Sequence, residues 1–406
     1  MRLSRYMSKA LKETLRHFFE VYNGPENQRR LDLISRHNKL EITEKIPVYF
    51  SVPFDWSIMR MSLWMELLNL PLDLEAVMSA TGEYPRELAE QVIIFQLKQR
   101  IFYIEQMPGD WPVYPSVSTN FNLLWIRNKD KRNPIWNEID YNLKSGDFHL
   151  EPFINSEVDF DHISIQPYHF DPELHRKRQA VFAELTEGKF TIQDDTLGFG
   201  YLSKPGSPFE ETCRVRGMIN VLMDMRENPA FVHRMMAFFT DLSITRAKEM
   251  NEKTGKDCFM PSIGGDDVNC QMFSPDDYAE FIYPYELECS KYGRNYYYHS
   301  CGSLTPVYNR IATLHNLAKV HVSPWSDLQT AADVFNGRKV ILQKLMDTQK
   351  DILNRSAGEM LAQIKGIKNT VNASVAEVAC HCETIDSFEK SKEFIRLADK
   401  YLTREK

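Results

Sequence analysis

The sequence lacks several features that would assign a protein class at once. Its apolar runs are far too short to span a membrane. It has no GxGxxG or GxxxxGK[ST] motif that could serve as a phosphate loop for a nucleotide. Charges of both signs are mixed along the chain and the net charge is −7, so no basic surface suggests nucleic acid or an anionic membrane as a partner.

The chain also has few cysteines and no sign of a secretory leader. Seven cysteines in 406 residues are too sparse for a disulfide scaffold. Residues 1–24 lack an uninterrupted apolar stretch and a small-residue cleavage site, so we expect no signal peptide. We therefore expect a cytoplasmic protein, in which paired cysteines more often bind metal or carry out chemistry than form disulfides.

Strands and helices alternate regularly from about residue 214 onwards. Strand-like segments are expected at 45–52, 259–268, 296–301, 318–324, 339–347 and 369–380. Such alternation implies right-handed βαβ units and a parallel sheet. About eight strands in a chain of this size favour an α/β fold of the (β/α)8 TIM-barrel type.

The predicted domain organisation is a single barrel with two additions. Residues 1–44 are interpreted as an N-terminal helical extension, and residues 45–406 as the barrel. The stretch at about 106–160 is rich in Pro, Asn, Asp and Trp, which favours an irregular insertion with short strands.

The segment YYYHSCGS at 296–303 ends a predicted strand with a possible metal half-site. His299 and Cys301 are two residues apart, so an extended backbone would project both to one side. Cys380 ends the last predicted strand, and Cys382 could replace it if that strand continues. Zinc prefers Cys sulfur and His nitrogen, and active residues of a barrel lie at the carboxyl ends of its strands. Free cysteine often serves as a small core hydrophobe instead, which is our interpretation of Cys289.

Other candidate residues also follow predicted strands. Asp266 and Asp267 are expected to take a catalytic or substrate-binding role, the alternative being carboxylates that cap a helix or face solvent. Aromatic rings, a guanidinium and a thiol near the same ends could line a substrate pocket. The residues in this group are Trp56, Arg216, Cys270 and Trp325.

Four segments together resemble a known family. They are RGMINVLMDMRENPAFVHRMM, GDDVNCQMFSPDDYAEFIYPYELECSKYG, YYYHSCGSLTPVY and VACHCETIDSFEKSKEFIRLADKY. The C-terminal half resembles the uroporphyrinogen decarboxylase superfamily, in particular its cobalamin-linked, zinc-dependent methyltransferase branch. The resemblance covers about 160–406 well and 45–105 loosely, and it implies a TIM barrel.

The resemblance also implies a ligand set. The family's His-x-Cys zinc pair falls on His299 and Cys301, and its third ligand falls on Cys380, with Cys382 as the alternate. Where some members carry an acidic fourth ligand, this sequence has HVSPW, so the fourth position stays open between Glu377, an aspartate of 266–267, water and substrate. The RQAGR-like signature of true uroporphyrinogen decarboxylases is absent, since the corresponding region is VPFDWSIMR, and this counts against porphyrin decarboxylation.

The resemblance implies an enzyme that works with a corrinoid. We expect Zn²⁺ as cofactor, and transfer of a methyl group between a small substrate (a methyl ether, a methylamine-type compound or a thiol) and the cobalt of a corrinoid (cobalamin) carried by a partner protein. Two alternatives remain: a metal-free decarboxylase or lyase that uses Asp266 or Asp267, and a non-enzymatic corrinoid- or tetrapyrrole-binding module. A homodimer is left open.

Overall fold

The structure is a computed structural model of the whole chain. No helix in the part described is both long and apolar enough to cross a membrane. The residues that the structure describes are 7–51, 58–72, 85–119, 140–141, 148–149, 152–163, 172–193, 207–254, 260–381 and 385–404.

Helices occur along the entire described chain. In chain order they are α1 (Lys9–Tyr22), α2 (Pro25–Asn38), α3 (Ile58–Leu68), α4 (Arg86–Gln106), α5 (Glu157–Asp161), α6 (Pro172–Leu185), α7 (Pro208–Arg216), α8 (Met218–Glu227), α9 (Pro229–Thr254), α10 (Pro275–Asp277), α11 (Tyr283–Ser290), α12 (Tyr308–Ile311), α13 (Leu328–Val334), α14 (Ala357–Val371) and α15 (Ile385–Tyr401). A π-helical turn, Tyr278–Ile282, joins α10 to α11, and another, Thr348–Leu353, precedes α14.

The strands form one large parallel sheet and two small sheets. They are β1 (Val48–Ser51), β2 (Ser116–Ser118), β3 (Asp140–Tyr141), β4 (Phe148–His149), β5 (Thr191–Gln193), β6 (Met260–Gly264), β7 (Gly293–His299), β8 (Leu317–Val322), β9 (Ile341–Met346) and β10 (Ala376–His381). The large sheet has the order β1-β10-β9-β8-β7-β6 and all its pairs are parallel. β2 pairs with β5 in parallel, and β3 with β4 antiparallel.

The strand order is that of a (β/α)8 barrel. The first strand pairs in parallel with the last, β1 with β10, as the first and last strands of a (β/α)8 barrel do. The six-stranded sheet and the β2–β5 pair together supply eight parallel strands, and helices follow the strands of the large sheet in turn. The predicted α/β barrel class is therefore confirmed.

Alternation along the strands divides side chains between the barrel interior and the helix layer. On β7, Tyr296 and Tyr298 are fully buried in the main hydrophobic core, which lies under the helices. Tyr297 and His299 point the other way, into the interior, where their rings lie 5.5 Å apart. Because successive side chains of a strand point to opposite faces, neighbouring residues of a strand buried on both faces lie in two different environments. His299 is the last residue of β7 and therefore lies at the carboxyl edge of the sheet.

The first two helices pack against the barrel. α1 buries Leu11, Leu15 and Phe18, which recur at helical spacing and pack toward α4. α2 brings His37 to the interior, where its Nε2 lies 2.9 Å from a carboxylate oxygen of Glu377. The extension predicted for residues 1–44 thus contributes a buried side chain to the barrel.

One predicted strand begins later in the structure than expected. The strand expected at 369–380 begins only at residue 376, because α14 continues to Val371. The segment HISIQPY at 162–168 also predicts a strand, but it lies mostly outside the described residues. Of the insertion at about 106–160, the structure describes the short strands β2, β3 and β4 and the helix α5.

A buried carboxyl group links α11 to β7 behind the barrel wall. Glu286 is 1% exposed and accepts hydrogen bonds from the hydroxyls of Tyr278 at 2.6 Å and Tyr298 at 2.9 Å. Burial raises the pKa of Glu286 from 4.5 to about 7, and the two tyrosine hydrogen bonds only partly oppose this rise. The folded chain therefore holds this group protonated at a pH where the unfolded chain has ionised it.

We expect Glu286→Gln to remove a pH-dependent loss of stability. In the wild type, the stabilisation that comes from the raised pKa of Glu286 is complete below pH 4.5 and is lost as the pH rises towards about 7. Above that pH, the free energy of unfolding has fallen by about 3 kcal/mol in total. Relative to wild type, the variant should gain thermal stability steadily between pH 4.5 and 8, as measured by melting temperature. Glu288→Gln, in the same helix, is the control. Parallel curves for wild type and Glu286→Gln would contradict the prediction.

Candidate metal centre at the carboxyl ends of the strands

Three potential metal ligands converge where β6 and β7 end. The Nε2 of His299 lies 2.8 Å from Oδ1 of Asp266, and the Sγ of Cys301 lies 3.1 Å from the same oxygen. The Sγ–Nε2 distance is 3.4 Å. Within the described part of the chain, this is the group of His, Cys, Asp and Glu side chains close enough to hold a metal ion.

The donor set and its spacing fit zinc. Zinc accepts nitrogen, sulfur and carboxylate oxygen in tetrahedral sites, and its bond lengths put neighbouring ligand atoms about 3.3–3.6 Å apart. The Sγ–Nε2 distance of 3.4 Å lies in this range, and the distances of 3.1 and 2.8 Å to Oδ1 of Asp266 are shorter. Cys301 is exposed, and Asp266 retains 60% of its side-chain surface. Three protein donors with an open side are the usual arrangement of a catalytic zinc site.

The backbone after β6 and β7 explains why the donors meet. Gly264, the last residue of β6, has φ +89°, and a Cβ there would lie 2.4 Å from the carbonyl oxygen of His299. Only glycine allows both the left-handed turn and this close approach. The amide of Gly265 then donates to the same carbonyl at 2.9 Å. The two strand ends are thereby joined directly next to Asp266 and His299.

Further hydrogen bonds join the two ligand-bearing loops into one unit. The hydroxyl of Ser300, which lies between His299 and Cys301, is fully buried and donates to the carbonyl of Val268 at 2.5 Å. The side-chain oxygen of Asn269 accepts from the amide of Ser303 at 3.0 Å, and the amide of Cys270 donates to the carbonyl of Ser303 at 2.9 Å. Ligands held by such a network are preorganised for a metal.

The two aspartates of the β6 loop differ in their electrostatics. Although burial opposes ionisation, the hydrogen bond and charge of His299 hold the pKa of Asp266 well below its usual range. Burial and the neighbouring Glu210 carboxylate raise the pKa of Asp267 from 3.8 to about 6, against the opposing effect of Arg214. Asp266 is thus an ionised donor, whereas Asp267 can carry a proton near neutral pH.

A comparison with family models assigns part of the chain to a known family. The model described as Uroporphyrinogen decarboxylase (URO-D) matches residues 199–401, half of the chain. The chain belongs to the URO-D family. The match spans β6 to β10 and contains all three donors of the cluster, so the family part of the resemblance predicted from the sequence is confirmed.

Comparisons with whole proteins add a structural relative to the family assignment. A methyltransferase from Methanosarcina mazei superposes on this URO-D chain with a TM-score of 0.58 at 13% sequence identity. The superposition covers 92% of this chain and 99% of that one. At this identity the likeness establishes the fold. Among curated proteins, no sequence matches the chain.

The sequence led us to expect Cys380 beside His299 and Cys301. The structure of this URO-D chain places Cys380 elsewhere. On β10, Ala379 faces the interior and packs with Tyr49 and Leu345. Cys380 is the next residue and therefore faces the helix layer, where it is fully buried in the main core beside its pairing partner Phe50. Because β10 directs this thiol to the helix layer, Cys380 lies outside the cluster of Asp266, His299 and Cys301. The alternate, Cys382, lies outside the described residues.

Glu377, the other alternate ligand, points into the interior but has other partners. It is 2% exposed, and its carboxylate accepts from the Lys319 ammonium at 2.7 Å and from the Tyr49 hydroxyl at 2.8 Å. Burial opposes its ionisation, but Lys319 and His37 together hold the pKa of Glu377 well below its usual range. Glu377 thus belongs to a buried ionic network and is not part of the three-donor cluster.

The residues expected to line a substrate pocket have different surroundings in the structure. Trp325 follows β8, is 52% exposed and has the Lys350 ammonium 5.7 Å from its ring centre. Cys270 is half-buried in the β6 loop, and burial raises the pKa of its thiol to about 12. The Arg216 guanidinium binds Asp224 and the carbonyls of residues 154 and 155, so it holds α7 to its neighbours. Trp56 lies outside the described residues.

Sequence reasoning missed two side chains that pack against His299. The His321 ring, from β8, stacks on the His299 ring with centroids 4.8 Å apart and planes 9° from parallel. The hydroxyl of Tyr297 lies 3.3 Å from Nδ1 of His299. The signal for Tyr297 was available, since it is two residues before His299 on the same strand and must share its face.

Proposed function

We propose that this protein is a zinc-dependent methyltransferase, which moves a methyl group between a small substrate and the cobalt of a corrinoid. The observation that carries the proposal is the convergence of Asp266, His299 and Cys301 at the open carboxyl end of the barrel. A nitrogen, a sulfur and an oxygen donor within 4.8 Å of one another suit zinc better than the harder cations.

Each residue of the centre would have a distinct part. His299, Cys301 and Asp266 would hold the ion and leave one side open to the barrel mouth. Bound zinc would act as a Lewis acid on a sulfur or oxygen atom of the substrate. Asp267, whose pKa lies near 6, can hold or accept a proton at its carboxyl group beside the centre.

A corrinoid partner is part of the same proposal. The structural neighbour, a methyltransferase from Methanosarcina mazei, supports this reaction class over others of the family. A corrinoid supplies the cobalt chemistry, and the barrel supplies orientation and activation of the small substrate. Because this chain presents its donors at an open edge, the corrinoid would arrive on a separate protein, in the cytoplasm.

The test combines metal binding with methyl transfer. Zinc-loaded protein should bind about one ion per chain and demethylate or methylate free cobalamin with at least one compound in a panel of methyl ethers, methylamines and thiols, followed by the cobalamin absorbance. Cys301→Ser should lose about 100-fold or more in rate, since the ion loses a ligand. Cys289→Ala, whose thiol is buried in α11, is the matched control. Absence of zinc from the wild-type protein would overturn the proposal.

A metal-free decarboxylase is the second candidate, because the matched family model carries that description. Asp266 or Asp267 would then act on the substrate directly. This reading predicts that chelators and Cys301→Ser leave the reaction unchanged, whereas Asp267→Asn abolishes it.

A further inference from the structure

We propose that Lys319 determines substrate specificity by donating a hydrogen bond to an uncharged oxygen of the substrate, and that Glu377 beside it excludes anionic substrates. The inference rests on the proposed function in one respect, namely that the ligand is the small molecule that reacts at the metal centre. It names a substrate class, which carries a neutral acceptor such as an amide, ether or hydroxyl oxygen at the end away from the reacting atom.

Lys319 lies in the barrel interior, one inward-facing position below the rings of the metal centre. It is two residues before His321 on β8, so the two side chains share the interior face. The His321 ring stacks on the His299 ring with centroids 4.8 Å apart. Because two residues of a strand rise about 7 Å, a small molecule with one end at the metal centre can reach Lys319 with the other.

The Lys319 ammonium has more hydrogen-bond donors than partners. Within the described part of the chain, its one polar contact is to Oε1 of Glu377, at 2.7 Å. An ammonium group carries three N–H bonds. Branched apolar side chains usually fill the interior of such barrels, whereas the Lys319 side chain is polar and 22% exposed. Its remaining N–H groups are therefore available to an acceptor atom of a ligand.

The carboxylate beside Lys319 is covered on its other sides. Glu377 is 2% exposed, and its second oxygen, Oε2, lies 2.9 Å from Nε2 of His37, which is 1% exposed. The Tyr49 hydroxyl donates to Oε1 at 2.8 Å, and the Trp111 ring packs on the Tyr49 ring with centroids 4.7 Å apart. A ligand in the interior thus meets the ammonium and not the carboxylate.

The charge balance of this pair decides which kind of acceptor fits. Lys319 and His37 hold the pKa of Glu377 well below its usual range, so the carboxylate is ionised and neutralises the ammonium. A ligand carboxylate at Lys319 would place a second negative charge beside Glu377 in a poorly solvated site, which is strongly unfavourable. A neutral oxygen accepts the same N–H without adding charge. The pair therefore favours an uncharged acceptor.

The experiment compares two probes of nearly equal shape, methoxyacetamide and methoxyacetate, which differ by a neutral NH2 group and a charged oxygen. Binding to the metal-free protein is titrated by saturation-transfer NMR and repeated on zinc-loaded protein. Methoxyacetamide should bind at least about tenfold more tightly, because like charges at a buried contact repel. Equal affinities, tighter binding of methoxyacetate, or binding of neither probe in the millimolar range would overturn the inference.

Glu377→Gln tests the exclusion of anions, because it leaves Lys319 without its opposite charge. The preference should reverse, so that methoxyacetate binds more tightly, and an unchanged preference would overturn the inference. Circular dichroism establishes that the variant is folded during the titration. The double variant Lys319→Met/Glu377→Gln removes both charges and carries the test if the single variant unfolds. It should lose about tenfold or more in methoxyacetamide affinity, the usual effect of losing a charged donor.

Ser262→Ala is the matched control. Ser262 pairs with Tyr297, which in turn pairs with Lys319, so the three residues lie at one level of the barrel. The Ser262 hydroxyl is buried and has no hydrogen-bond partner among the described residues. Its removal should leave both affinities unchanged, and a loss equal to that of the double variant would show that packing governs binding. A wild-type protein that binds no zinc would overturn the proposed function, whereas the two probes on metal-free protein would still decide this inference.

Discussion

Asp266→Ala is expected to weaken zinc binding by at least about 100-fold, whereas Cys380→Ala should leave it within a few-fold of wild type. Asp266 contributes an ionised oxygen 2.8 Å from Nε2 of His299 and 3.1 Å from the Cys301 sulfur. Loss of a group that merely supports a ligand already costs 10- to 100-fold, so the loss of a ligand should cost more. Cys380 lies in the core on the other face of its strand, where its removal should cost stability on the order of 1 kcal/mol.

The measurement is zinc affinity by competition, with cobalt substitution as a second readout. The thiolate-to-cobalt absorption should report a single thiolate, Cys301, which disappears in Cys301→Ser. Asp276→Asn, an exposed aspartate in the next helix, is the matched control and should bind zinc normally. Loss of zinc in Cys380→Ala with retention in Asp266→Ala would contradict the prediction. That result would mean that the end of β10 rearranges when metal binds, and Cys382→Ser would then test the neighbouring thiol.

The strand-end placement of His299 and Cys301 was predictable because it depends on local pattern. An aromatic run followed by a glycine indicates a strand end, and a spacing of two puts both side chains on one side. The barrel class was predictable for a similar reason, since alternating strands and helices leave few topologies open. Both predictions needed only the order of the elements and not the register of any strand.

The position of Cys380 was not predictable because its outcome depends on one residue of register. Strands of a parallel barrel are buried on both faces, so their sequences do not alternate between polar and apolar residues. The segment AEVAC gives no sign of which positions face the interior. A shift by one residue would exchange Ala379 and Cys380 between the two faces.

The choice of Asp266 over Asp267 was also beyond sequence reasoning, which left either aspartate open as a zinc ligand. The sequence placed Asp266 and Asp267 at the same strand end, but it could not distinguish their roles. The distinction comes from the turn at Gly264, which turns the loop toward His299, and from Glu210, whose carboxylate lies near Asp267. Both are contacts between segments that are far apart along the chain.

Glu377→Gln is expected to cause the largest loss of stability of any conservative change in the barrel interior, about 3–5 kcal/mol. The substitution keeps the shape of the side chain but removes the charge that neutralises the Lys319 ammonium and pairs with His37, which is 1% exposed. Removing one partner of a buried ion pair leaves an uncompensated charge in a low-dielectric environment. Unfolding in urea, followed by circular dichroism on metal-free protein, measures the difference.

Two further measurements separate this cause from a general packing defect. Lys319→Met alone should also destabilise the protein, but combining it with Glu377→Gln should cost less than the sum, because the double variant buries fewer unpaired charges. The pKa of Glu377 is lowered in the folded state, so its contribution is complete above pH 4.5 and is lost as the pH falls below that value. The gap between wild type and Glu377→Gln should therefore narrow in acid. Glu13→Gln, in an exposed pair with Lys9, should change stability by less than about 1 kcal/mol. A gap that is the same at pH 3 and pH 7, together with additive single effects, would show that charge pairing does not stabilise this network.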